Sequence, residues 1–203
     1  MRVLIACEES QIVCKAFRSR GHEAYSCDIQ ECSGGHPEWH IQADALQLLK
    51  MRWDLIIAHP PCTYLTPAGS CNLFNADHSV KNKERERLGW EAREFFMEFL
   101  LSDCPCVAVE NPAPMKYYAL PPYTQIIEPY MFGDPWKKRT CLWLKGLRPL
   151  EPTNIVEPKG CWVYSTGRTT RTKLLDVIGT RNAKERSKTF PGIAKAMAEQ
   201  WSC

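Results

Sequence analysis

Four residues with reactive side chains each follow a short strand-like run: Glu8 after RVLIAC, Asp28 after HEAYSC, Cys62 after DLIIAH and two prolines, and Glu110 after CVAV. Open α/β sheets bind their ligands beyond the carboxyl ends of the strands. If these runs are parallel strands, the four side chains meet at one edge. A cysteine and a carboxylic acid placed together there suit covalent catalysis, in which the thiolate adds to the substrate and the acid takes up charge as the adduct forms. Pro60 and Pro61 fix the backbone ahead of Cys62 and remove two N–H donors, so the thiol stands on a preorganised turn.

The elements that must place these side chains follow from the hydrophobic pattern. The run at 2–7 leads to Ser10, an N-cap for a helix in which Ile12, Val13, Ala16 and Phe17 share one face, and Gly21 suits its end. HEAYSCD, 22–28, is the next strand, which completes a strand–helix–strand unit and begins a parallel sheet. Within DLIIAH the run LIIA is apolar throughout, as a strand covered on both faces requires. KERERLGWEAREFFMEFLL sets Leu88, Ala92, Phe95 and Phe99 on one stripe. CVAVEN and TCLWL, 140–144, are further strands, and PGIAKAMAEQW closes the pattern as a helix with Ile193, Met197 and Trp201 on one face. There is no internal repeat or low-complexity tract, and one domain over 1–203 is expected.

Taken in order, these motifs resemble the DNA cytosine-5 methyltransferases, in the compact form found among phage-encoded cytosine methylases. PPC at 60–62 with the TPAG that follows is similar to that family's proline-cysteine motif, and VENP at 109–112 to its Glu-Asn motif. FGDPWKKRT, 132–140, is similar to its basic motif and RSKTFPGIAKAMA to its terminal one. The resemblance implies an α/β, Rossmann-like S-adenosylmethionine-dependent methyltransferase fold, a mostly parallel sheet with helices on both faces. It implies S-adenosylmethionine as cofactor, held by Ala6, Cys7, Glu8, Ser10, Asp28, Ile29, Asp44, Ala45 and Pro60. It also implies a reaction in which cytosine is flipped out of the duplex. Cys62 then adds to C6, Glu110 protonates N3, C5 takes the methyl group, and loss of the C5 proton frees the enzyme. Lys138 and Arg139 belong to this catalytic set, and Thr63, Lys137, Arg168, Arg171 and Lys173 to the DNA contacts.

The sequence departs from the family in two places. ACEESQ has no glycine where the family has a glycine-rich loop, and two adjacent glutamates there disfavour a phosphate but suit a cationic sulfonium. A reduced target-recognition segment at about 146–185 replaces the family's large domain, so a short or weak sequence context is expected. Glu8 and Glu9 also suit the start of a helix, Asp28 and Asp44 suit turns or caps, and the basic stretch YSTGRTTRTK suits a solvated loop.

Composition sets the outer limits. A net charge of +3 permits a DNA partner without requiring one. Eleven cysteines with no signal-peptide pattern and no apolar run of membrane-spanning length point to the reducing cytoplasm of a bacterium or phage-infected cell, and away from a membrane. No obligatory protein partner is evident. Cys27, Cys32, His36 and His40 have a spacing that zinc can use, but Cys27 falls inside a strand and no metal is expected. Two other functions fit the same residues. One is a cysteine-dependent pyrimidine C5 modification with another donor or a free nucleotide; the other is a non-catalytic DNA-binding or anti-restriction protein. The favoured role is phage or bacterial DNA modification, as in restriction-modification.

Overall fold

The computed structural model describes residues 1–163, 178–180 and 182–202. Its strands are β1 (Arg2–Ala6), β2 (Glu23–Asp28), β3 (His40–Gln42), β4 (Leu55–Ala58), β5 (Cys106–Asn111), β6 (Gln125–Ile127), β7 (Trp136–Lys137), β8 (Thr140–Lys145), β9 (Gly160–Val163) and β10 (Ile178–Thr180). Its α-helices are α1 (Ile12–Arg18), α2 (Ala45–Leu48), α3 (Lys83–Leu101), α4 (Ala183–Ser187) and α5 (Pro191–Gln200). Seven strands form one sheet in the order β3-β2-β1-β4-β5-β8-β6. The first five in that order run parallel, and β8 lies antiparallel to both β5 and β6. This is a Rossmann-like α/β sheet whose strand order reverses between β1 and β4, the crevice where such sheets bind ligands.

Burial follows from the apolar runs. Val3, Leu4, Ile5 and Ala6 of β1 and Ile57 and Ala58 of β4 are fully buried because helices cover both faces of the sheet. On one face β1 and β4 contribute Val3, Ile5 and Ile57 to a cluster with Val13 and Phe17 of α1 and Ile193 and Met197 of α5. On the other, Leu4, Ile56 and Val109 pack with Leu48 of α2 and with Phe96 and Phe99 of α3. The buried stripe of α3 is Gly89, Phe96 and Phe99, with Leu88, Ala92 and Phe95 only half-buried, so the helix is rotated from the expected face. Gly89 sets that rotation: it lets Tyr118, itself fully buried, lie directly against the helix backbone.

A second, three-stranded sheet has the order β10-β9-β7 and is parallel. It draws on the 146–185 region expected to serve target recognition. Arg168, Arg171 and Lys173 lie outside the described residues. Among the described residues, no helix is long and apolar enough to cross a membrane.

Candidate active site

The turn after β1 carries the first departure from the sequence expectation. Cys7 and Gln11 both adopt left-handed backbone conformations, with φ of 59° and 58°. Glycine adopts this conformation freely; other residues hold it at a cost of about 1 kcal/mol or more. Gln11 precedes α1, and Ser10 does not cap the helix. Instead Glu8 turns inward, and its carboxylate accepts hydrogen bonds from the backbone N–H of Val13 at 2.6 Å and Cys14 at 3.2 Å. A carboxylate has the reach to cover two unsatisfied donors where a serine hydroxyl covers one. Glu9 pairs with Ser33 and lies 3.8 Å from the Lys184 ammonium. Gln11 ties the following loop down, accepting from the His36 N–H at 3.1 Å and the Cys32 thiol at 3.0 Å.

Asp28 and Asp44 end up near one another around the Cys7 thiol. That thiol is pushed above its ordinary range by burial and then by the two carboxylates. Asp28 closes β2 and accepts from the Gln30 N–H at 2.9 Å, and Asp44 caps α2 through the Leu46 N–H at 3.0 Å. Ile29 is 75% exposed beside Asp28, while Ala6 and Ala45 are buried. The zinc-like set is not assembled: the Cys27 thiol donates to the Ala43 carbonyl, His36 stacks on Trp39 and His40 bonds to Ser26.

Cys62 and Glu110 are brought together by the pairing of β4 with β5. Ala58 is in register with Val109, so the chain enters the proline turn beside the end of β5. Asn111 fastens the two, donating from Nδ2 to the carbonyl of the buried Pro60 at 2.8 Å. The turn closes with the Leu65 and Thr66 N–H groups on the Cys62 carbonyl, at 3.1 and 3.3 Å. Arg85 of α3 braces it from outside, donating to the carbonyl of the exposed Thr63 at 3.0 Å and packing so closely on Gly69 that a side chain there would collide with it.

Glu110 has a neighbour that was not singled out in the sequence. His59 follows β4 directly, and its Nδ1 lies 2.8 Å from Oε2 of Glu110, with both side chains only 11% exposed. The Thr189 hydroxyl donates to the same oxygen at 3.4 Å. Burial by itself would raise the Glu110 carboxyl, but His59 and Lys138 bring it down to about 2. Burial would lower the imidazole, but Glu110 and then Glu8 carry it above its ordinary value. Glu8 is raised to about 7 by burial, against the pull of His59 and the helix N–H groups. The Cys62 thiol is raised by burial, while Lys138 and Arg186 favour its ionised form. Lys138 therefore belongs to the site, with its ammonium on the Lys188 carbonyl at 3.2 Å. Arg139 and Lys137 are exposed, and Arg139 acts on Glu128 and Cys141.

The structure finds His59 through strand register, which the sequence does not give. His59 stands one residue past Ala58 as Glu110 stands one past Val109, and such neighbours project to the same face. Arg186 gave less warning, lying in a five-residue helix with no apolar period.

No protein-family model and no curated protein matches the chain. Among solved structures it is similar to a DNA modification methyltransferase encoded within an E. coli prophage, at 14% identity over 76% of this chain and 51% of that one, with a TM-score of 0.48. It is also similar to a triple mutant of Spodoptera frugiperda DNMT2, at 12% identity over 78% of this chain and 57% of that one, with a TM-score of 0.42. The chain thus spans between half and three-fifths of the length of these structures.

Proposed function

We propose that this chain methylates cytosine at C5 in DNA, with Cys62 as the nucleophile, in phage or bacterial DNA modification. The observation that carries the reading is the clamp between the cysteine turn and the acid's strand. Asn111, next to Glu110, holds the Pro60 carbonyl, so nucleophile and acid are fixed by one hydrogen bond at neighbouring strand ends. A base seated between them would meet a thiol and a carboxyl without further rearrangement.

The residues at the ends of β1 and β2 fit S-adenosylmethionine. Asp28 offers a carboxylate to ribose hydroxyls, Ile29 leaves an apolar side chain in solvent for a purine, and Asp28 with Asp44 makes a negative surround suited to a sulfonium. When bound, that cofactor supplies the methyl group. The remaining chemistry belongs to the chain. Lys138 and Arg186 favour the Cys62 thiolate, which adds to C6. Electrons displaced from the C5–C6 double bond move through the ring to N3, where Glu110 delivers a proton, and C5 becomes nucleophilic. Lys137 and Thr63, both exposed, meet the DNA backbone in this reading, and the basic side chains of 164–173 are assigned to it from the sequence alone.

The test is to incubate the protein with duplex DNA and methyl-labelled S-adenosylmethionine, digest to nucleosides and weigh the products. Label in 5-methyldeoxycytidine is expected. Label on another base or atom, or on free dCMP and not on DNA, contradicts the proposal.

A further inference from the structure

Glu110 is ionised at rest, yet the addition step asks it to give a proton away, and that proton must come from somewhere. Among the described residues that act on Glu110, His59 is the one that is both hydrogen-bonded to it and of a type that takes up and gives back a proton near neutral pH; Lys138 acts on it as a charge without a hydrogen bond, and Thr189 as a hydroxyl donor. The imidazole is locked in place. Its backbone N–H donates to the Ala6 carbonyl at 2.9 Å, which extends the ladder between β4 and β1, and its Nδ1 faces Glu110 at 2.8 Å. Its other nitrogen, Nε2, is buried and has no hydrogen-bond partner among the described residues. Such an orphan is costly in a purely structural histidine, which is normally held at both ring nitrogens or open to water.

We infer that His59 is a positioning residue that keeps Glu110 supplied with a proton, so that the two side chains act as one acid when Cys62 adds to cytosine. This role rests on the proposed function. In the step, the Cys62 thiolate sulfur forms a bond to C6, the C5–C6 double bond shifts to C4–C5, the N3–C4 double bond opens onto N3, and N3 takes a proton from Glu110. The Nδ1 proton of His59 moves to Oε2 of Glu110, leaving the imidazole neutral. After C5 has taken the methyl group, the C5 proton leaves to water, its electron pair re-forms the C5–C6 double bond as the S–C6 bond breaks to return the Cys62 thiolate, and the N3 proton goes back through Glu110 to His59. The groups facing the imidazole are Glu110 from β5, Glu8 from the turn after β1, and Lys138 from the connection between β7 and β8. The two acids favour its charged form and the ammonium opposes it.

His59→Asn separates this role from simple orientation. The asparagine amide can occupy the place of Nδ1 and donate to Glu110, but it cannot carry a spare proton. Single-turnover methyl transfer at saturating DNA is to be measured from pH 6 to 9 for wild type and variant. The ratio of their rates cancels the ionisation of Cys62. It is expected to widen by up to about tenfold per pH unit over the range where Glu110 in the variant has lost its proton and His59 in the wild type has not. KM for DNA is expected to stay within about threefold, since the acid keeps its orientation. A ratio independent of pH overturns the inference while leaving the proposed function standing; a wild type that transfers no methyl group overturns both. Imidazole titration of the wild type by NMR gives a second readout that needs no turnover. The His59 midpoint is expected above the ordinary 6.5 and should fall in Glu110→Gln. A midpoint indifferent to Glu110→Gln overturns the inference.

Discussion

Glu8 shows how one side chain can serve the fold at a cost that depends on pH. It caps α1 with its carboxylate, yet burial holds its pKa near 7, so the folded state binds a proton that the unfolded chain releases at about 4.5. Stability must then fall as pH rises from 4.5 towards 7, because the folded form holds more protons across that window. Each tenfold difference in proton affinity between folded and unfolded chain is worth about 1.4 kcal/mol, so the loss amounts to a few kcal/mol at most. Urea titrations at pH 4.5 and 6.5 should show this decline in the wild type and a flatter response in Glu8→Gln; an equal decline in both would contradict the assignment. Asp28 gives a second prediction at this scale. If it holds the ribose of the cofactor, Asp28→Ala should weaken S-adenosylmethionine binding by ~1.5–3 kcal/mol, and an unchanged calorimetric affinity would count against that pocket. The places of Cys62, Glu110 and Asp28 at or just beyond strand ends were legible in the sequence, because each follows a strand-like run. His59 and Gln11 were not: His59 acts through a neighbour 51 residues away, and Gln11 takes a left-handed backbone that its residue type does not announce.

The long elements could be read from periodicity, and the short ones could not. β1, β2, β4, β5, β8 and α5 lie where their apolar patterns place them, because each buries enough surface to dominate its local preferences. The two-residue β7 and the three-residue β3, β6 and β10 hold too few residues to show a period, and they exist because a neighbouring strand offers a free edge. The rotation of α3 is a tertiary effect: the helix turns to bring Gly89 against Tyr118, where an added Cβ would lie 2.0 Å from the phenol oxygen. On helix propensity alone, Gly89→Ala should stabilise by about 1 kcal/mol. Overpacking against a fully buried ring reverses the sign, and a net loss of about 1–3 kcal/mol is expected in a denaturant titration. A more stable variant would show that the Tyr118 contact does not fix the helix.

At the scale of the whole molecule, the seven-stranded sheet gathers five parallel strand ends on one edge, and the order reversal between β1 and β4 divides that edge in two. The proposed function assigns the cofactor to the β1–β2 side and the reacting base to the β4–β5 side, where Cys62, His59, Glu110 and Lys138 meet. The small sheet includes β7, which ends one residue before Lys138. Covalent attack by Cys62 is the claim on which this division of labour depends. DNA carrying 5-fluorocytosine tests it most directly, because fluorine cannot leave C5 as a proton does once the cysteine has added and the methyl group has been transferred. A denaturation-resistant protein–DNA complex is expected with the wild type only when S-adenosylmethionine is present, with none in Cys62→Ser and far less in Glu110→Gln. A complex that persists in Cys62→Ser would place the nucleophile elsewhere and contradict the account.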